Sequence, residues 1–217
     1  MNSNIEFFSN VATATLADAS TALGLNLIMN GPRPVIPESY PHFAGPAATL
    51  IFSPIQGPRK APYSLYDVVD NIPEGAVAVV AAAGSPLAAW GSGASGVCSR
   101  RGAVATVIDG ATRDVEDIRD LNFPVFCKTV WSLAFPRKLE VTAKDVPVTC
   151  CGVQIEPGDI VVGDIDGVAA VPQSCLDDVR RQVDRIHDIE KEVKRRVANG
   201  ESMTDLFSIL AKKFTTD

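Results

Sequence analysis

The chain has 217 residues, 46% of them hydrophobic and 21% charged, which excludes a disordered or collagen-like sequence and predicts one compact domain that needs no disulfide or metal staple. Twenty Lys and Arg against twenty-six Asp and Glu leave a net charge of −6, which argues against a nucleic-acid partner, because phosphate affinity depends on concentrated basic charge. The longest uncharged stretch, Gly75 to Ser99, is continuously apolar only over Ala76 to Ala83, far short of the roughly 20 residues of a membrane span.

In chain order, Ile5 to Leu23 predicts a helix, and Pro32, Pro34, Pro37 and Pro41 an extended connection. Ala48 to Phe52 reads as a strand, and Ser64 to Asp70 as a short helix stopped by Ile72-Pro73-Glu74-Gly75. The middle is rich in strands: Ala76 to Ala83, Val104 to Asp109, Val125 to Val130, Val146 to Ile155 and Ile160 to Asp164, with a helical signal over Arg113 to Leu121. This pattern fits a layered α/β domain better than a strict βαβ repeat. From Gln173 onward nine basic and nine acidic residues fall among forty-five. There Leu176, Val179, Val183, Ile186, Val193 and Val197 step by three and four, the signature of a long amphipathic helix. Asn199-Gly200 stops it, and Met203 to Phe214 predicts a second short helix. Continuing the steps from Ile186 lands on Glu190, an acid on the apolar seam, unless the seam moves to Ile189. The expected organisation is therefore a single α/β domain over residues 1–172 and a helical extension over 173–217, packed on that domain or on a neighbouring subunit.

Glu6 and Asp18 break the apolar pattern of the N-terminus, which has no basic leader, so no signal peptide is expected. Five cysteines, an odd number without a C-x-x-C, and only His42 and His187 beside them, predict free buried thiols and no zinc site. The expected location is cytoplasmic.

The chemistry concentrates in Trp90-Gly91-Ser92-Gly93-Ala94-Ser95-Gly96 and in Val107-Ile108-Asp109-Gly110-Ala111-Thr112-Arg113-Asp114. The glycine cluster reads as a loop whose backbone N–H groups are available as an anion nest. It spells no dinucleotide or phosphate-loop motif. A strand ends at Asp109, Gly110 allows a turn, and Arg113-Asp114 stands at the mouth of a short acidic helix. Adjacent residues of a helix do not face one another, so one can hold a carboxylate while the other turns to a hydrated Mg²⁺. An Arg-Asp pair in this setting is also a common helix cap with a surface ion pair.

With Thr15-Leu16-Ala17-Asp18-Ala19, Ala44-Gly45-Pro46-Ala47-Ala48-Thr49, Arg101-Gly102, Phe123-Pro124-Val125-Phe126, Gly152 to Asp159 and Gly163 to Val168 in the same order, the chain resembles the class II pyruvate aldolases that act on 4-hydroxy-4-methyl-2-oxoglutarate and 4-carboxy-4-hydroxy-2-oxoadipate. The same superfamily contains the regulator of ribonuclease activity A. The resemblance implies an α/β/β/α sandwich, of swivelling-domain type, with a long C-terminal helix. It implies a homotrimer or a dimer of trimers with active sites between subunits, a Mg²⁺ or Mn²⁺ cofactor, and a short 2-oxo acid substrate. Arg113 then binds the pyruvyl carboxylate, Asp114 holds the metal, and Gly91, Ser92, Gly93 and Ala94 line the substrate. Glu190, with Glu192 second, is the residue that a neighbouring subunit would contribute. The family pattern places an acid twenty residues before Arg-Asp, and this chain has Ser92 there. A hydroxyl is a much poorer base. Oxaloacetate decarboxylation needs no base, so it is expected to survive better than aldol cleavage, both giving pyruvate through its enolate. The other reading is a non-catalytic binding protein like the ribonuclease regulator. A methyltransferase has no cofactor motif behind it.

Overall fold

The computed structural model describes residues 3–36, 42–57 and 61–216. It is an α/β/β/α sandwich whose layers follow from the alternation of side chains along its strands. The principal sheet holds four parallel strands, β2 (Phe43–Pro54), β3 (Val77–Trp90), β4 (Ala105–Thr112) and β5 (Val125–Val130), in the order β5-β4-β3-β2. A short β1 (Arg33–Pro34) pairs antiparallel with β5, and β6 (Leu139–Lys144) with the far side of β2. Helices α3 (Leu65–Asp70), α4 (Ser92–Arg100) and α5 (Val115–Asp120) cover one face. Ala78, Val80, Ala82 and Ile108 point toward them and share a core with Val69, Cys98 and Ile118.

The alternate residues, Val77, Val79, Ala81 and Val107, point inward. They meet the hairpin of β7 (Val148–Cys150) and β8 (Val153–Ile155), and one face of β9 (Ile160–Asp164) and β10 (Gly167–Val171). The opposite face of β9 and β10, with Ile160, Val162, Ala169 and Val171, packs against α1 (Ser3–Phe8), α2 (Thr13–Leu23) and α6 (Leu176–Ala198). Strand β2 joins the two sheets: Phe43 to Pro46 pair antiparallel with β9, and Ala47 to Ile51 pair parallel with β3. Gly45 lies where the strand passes between them. A Cβ there would stand 2.3 Å from the Gly75 carbonyl oxygen, so only glycine fits.

Several elements differ from the sequence expectation. The N-terminal helix is two helices, because Ser9 Oγ and Asn10 Nδ2 donate to the carbonyls of Ile5 and Glu6 and compete with helix continuation. α2 then restarts at Thr13, whose N–H and Oγ1 donate to Asp164 at 2.7 and 2.6 Å. Val146 to Ile155 is two strands, reversed at Cys151 and Gly152, both with positive φ. Strands β6 and β10 were not expected. The Gly-Ser-rich stretch after Trp90 is a helix, α4, and not a loop. All five cysteines are free thiols, four of them buried and Cys175 half-buried. Pro37 and Pro41 lie outside the described residues. Among the described residues no helix is long and apolar enough to cross a membrane.

At the C-terminus, α6 ends at Asn199 and is followed by α7 (Phe207–Ala211) and a 3₁₀ turn over Lys212–Phe214. Leu176, Val179, Val183 and Ile186 are buried against α1 and α2.

Candidate active site

In a parallel sheet, each strand that leads into a helix delivers the start of that helix to the carboxyl edge of the sheet, the usual place for ligands in open α/β folds. Here α3 follows β2, α4 follows β3 and α5 follows β4, so three helix starts gather on one edge. Strand β3 reaches that edge by an excursion. Ala81 pairs with Asp109 and Trp90 with Thr112, so ten residues of β3 run beside four of β4, and the surplus bulges outward at Ala83 and Gly84, both with positive φ.

Trp90 then fixes the start of α4. Its indole is buried and donates to Ser95 Oγ at 3.0 Å, while its carbonyl accepts from the Arg113 N–H at 3.2 Å. Arg113 and Asp114 follow β4 directly. Asp114 precedes α5 in the left-handed region (φ 60°, ψ 43°), and this backbone turn sends its carboxylate back toward α4. Asp114 Oδ2 accepts from the Ser92 N–H at 3.2 Å and from Ser92 Oγ at 3.3 Å. Its Oδ1 is 3.6 Å from Arg113 Nε. Gly91 leaves room for this close approach: a Cβ would lie 2.6 Å from Asp114 Oδ2 and push the carboxylate aside.

Residues 91–94, Arg113 and Asp114 are thus brought together on one edge. The amides of Gly93 and Ala94 belong to the first turn of α4, where no intrahelical acceptor exists, and the positive end of the helix dipole favours an anion. Ser92 turns its hydroxyl to Asp114, so position 92 supplies a donor to the Asp114 carboxylate. The clefts lined by Thr13, Met29, Arg33 and Asp166, and by Pro147, Glu156 and Pro172, contain none of these residues. The site is an open edge flanked by exposed Val130, Trp131 and Leu133, with the Trp131 N–H held on the Thr112 carbonyl at 2.9 Å.

Glu190 and Glu192 are not part of this edge in a single chain. They lie on α6, on the opposite outer layer. Glu190 meets Lys213 Nζ at 2.8 Å, and the same ammonium is 2.5 Å from Asp18 Oδ2, which explains an acid on the helix seam. Burial opposes the charge on Lys213, but the Asp18 and Glu190 carboxylates outweigh it and raise the Lys213 pKa. Glu192 is held by Arg195 at 2.7 Å, which lowers its pKa.

A residue that sequence reasoning missed is Tyr66, in the first turn of α3. Its side chain rests on Gly93, where an added Cβ would come within 2.9 Å of the phenol oxygen. No local motif marks it, because its position depends on α3 lying along α4.

Among the described residues no group of three or more His, Cys, Asp or Glu side chains is placed to hold a metal ion. A hydrated Mg²⁺ or Mn²⁺ does not need one, since such ions are commonly held by one or two carboxylates and several waters. Asp114, a part-exposed carboxylate at the edge of the sheet, fits that donor set.

A family model described as RraA-like (Aldolase/RraA) matches residues 13–170. An "Uncharacterized protein" of Methanocaldococcus jannaschii is 38% identical over 122 residues, 56% of this chain and 58% of that protein. A Deinococcus radiodurans protein named "Putative 4-hydroxy-4-methyl-2-oxoglutarate aldolase" is 40% identical over 97 residues, 43% of this chain and 58% of its own length. This chain therefore spans less than two thirds of these curated relatives. Among solved structures, Streptomyces coelicolor RraAS2, described as an unusual member of the RNase ES inhibitor RraA protein family, superposes with a TM-score of 0.79 at 29% identity, covering 90% of this chain and 96% of that one.

Proposed function

This chain belongs to the RraA-like family of aldolase and RraA proteins, and from that premise we propose that it is a divalent-metal-dependent carbon–carbon lyase acting on short 2-oxo acids to release pyruvate. One observation carries the reading: Arg113 and Asp114 stand side by side on the carboxyl edge of the sheet, with the part-exposed Asp114 carboxylate clamped by Ser92.

The Arg113 guanidinium presents a planar fork suited to bidentate bonding of the pyruvyl carboxylate. The first-turn amides of α4 orient the remaining oxygens of the substrate. Asp114 would hold Mg²⁺ or Mn²⁺, which when bound supplies Lewis-acid stabilisation of negative charge developing on the 2-oxo oxygen. Ser92 keeps Asp114 in place but cannot act as a general base near neutral pH. The reaction that suits these residues best is oxaloacetate decarboxylation, with cleavage of 4-hydroxy-2-oxo acids slower because it needs a base. The exposed Val130, Trp131 and Leu133 beside an open site favour a homo-oligomer, a trimer or a dimer of trimers, in which another subunit covers the edge and contributes Glu190 or Glu192.

The test is pyruvate release from oxaloacetate in Mg²⁺ or Mn²⁺ and in EDTA, with wild type and Asp114→Ala. Metal-dependent release lost in the variant is the expected outcome. Release no faster than the metal-only background, from a folded protein, would instead favour a non-catalytic regulator or binding protein. Ser92, standing where the aldolase pattern has an acid, is the observation on that side.

A further inference from the structure

We propose that Tyr66 is the proton donor of this site, supplying from α3 the acid that position 92 lacks. The inference rests on the lyase reading above and adds to it a residue that no motif marks.

Helices α3 and α4 lie side by side in the same direction. At their starts the Tyr66 phenol rests on Gly93, and at their ends Arg100 Nη2 donates to Asp70 Oδ1 at 2.9 Å. Val69 is buried in the core cluster that also holds Ala94 and Cys98, which fixes the spacing between the two helices. The Tyr66 side is 56% exposed, yet its hydroxyl is not at a random place on the surface. It sits over Gly93 in the first turn of α4, the residue that follows Ser92 in the chain. Gly93 is what admits it, since any Cβ there would stand within 2.9 Å of the phenol oxygen. The Ser92 hydroxyl is already directed at Asp114.

A phenol carries an O–H that it can give up as a proton donor. That matches one half of the chemistry. When oxaloacetate loses CO₂, the C3–C4 bond breaks and its electron pair becomes the C2–C3 enolate of pyruvate. The Tyr66 O–H then gives its proton to C3, forming the methyl group, and the phenolate recovers a proton from water. Aldol cleavage must first remove a proton from the 4-hydroxyl, a step for which Tyr66 is no help.

Tyr66→Phe, assayed as the metal-loaded full chain, is expected to lower kcat for oxaloacetate by about 10²-fold while KM and the dissociation constant of oxalate, a mimic of the enolate, stay within about two-fold of wild type. Gly93→Ala, whose methyl displaces the phenol, is expected to give a similar loss, and the double variant no further loss than Tyr66→Phe alone. A Tyr66→Phe variant with wild-type kcat, or one that changes only KM or oxalate affinity, overturns the donor role while wild-type turnover still supports the lyase. Absence of both turnover and oxalate binding in wild type overturns the two together.

Discussion

Ser92 and Asp114 are matched as donor and acceptor, and the match depends on a third residue with no side chain. Gly91 leaves the space through which the Asp114 carboxylate reaches the α4 backbone. Gly91→Ala is therefore expected to act on the site more than on the fold. The atom nearest to the new methyl is the end of a side chain that can swing away, so thermal stability should change little. Metal affinity should fall about 10–100-fold, the range seen when a group orienting a metal ligand is lost, measured by Mn²⁺ titration calorimetry beside a melting curve. A large loss of stability with unchanged Mn²⁺ binding would show that Asp114 is not a ligand. Much of this site was legible in the sequence because Arg113, Asp114 and the glycines are local motifs. Tyr66 was not legible, because it belongs to a different helix and joins the site only by packing. The acid at 190 was visible as an anomaly of the seam, but its Lys213 partner is twenty-three positions away on a separate turn.

At the scale of elements, the strands with continuous Val, Ile and Ala could be read directly, since a strand buried on both faces has nothing else to be. α4 could not. Its sequence, Ser-Gly-Ala-Ser-Gly-Val-Cys-Ser-Arg, is poor in helix formers, and it is helical because Ala94, Ser95 and Cys98 are small enough to lie close to the sheet. The same use of small residues against large ones occurs where β2 meets β9. A Cβ on Gly163 would fall 2.3 Å from Phe43 Cε1 and Cζ, and Phe43 is itself held edge-on by Phe126 with centroids 5.4 Å apart. Unlike the methyl at 91, this one meets a ring that cannot move aside. Gly163→Ala is expected to cost about 1–3 kcal/mol, as overpacking a filled core does, read from the urea midpoint, and Phe43→Leu in the same chain should recover part of it. An unchanged midpoint would mean that the two sheets slide more easily than their packing implies.

Taken whole, the molecule encloses its titratable groups in a way that fixes the direction of its pH dependence. Burial raises the thiol of Cys98 to about 12 and that of Cys127 to about 11, both within the core between the main sheet and its helices. The ammonium of Lys128 is raised chiefly by Asp109, 2.7 Å away, and that of Lys213 by the two carboxylates that outweigh its burial. In each case the folded chain holds its proton more tightly than the unfolded chain. The resulting stabilisation is complete below the unfolded values, about 8.5 for a thiol and about 10.4 for a lysine, and is lost as pH rises through the folded ones. Between those limits each thiol removes about 1.4 kcal/mol of stability per pH unit. Urea unfolding under reducing conditions should therefore show a midpoint that is steady from pH 7 to 8.5 and falls steeply by pH 10. Cys98→Ala with Cys127→Ala should flatten the fall between pH 9 and 10, even if the variant starts lower at pH 7 because of the cavities left behind. A slope unaltered by removing both thiols would assign the loss between pH 9 and 10 to Cys150, raised by its neighbour Cys151 and by burial, and to Cys175, raised by burial, since the two lysine pairs give way only above about pH 10.4.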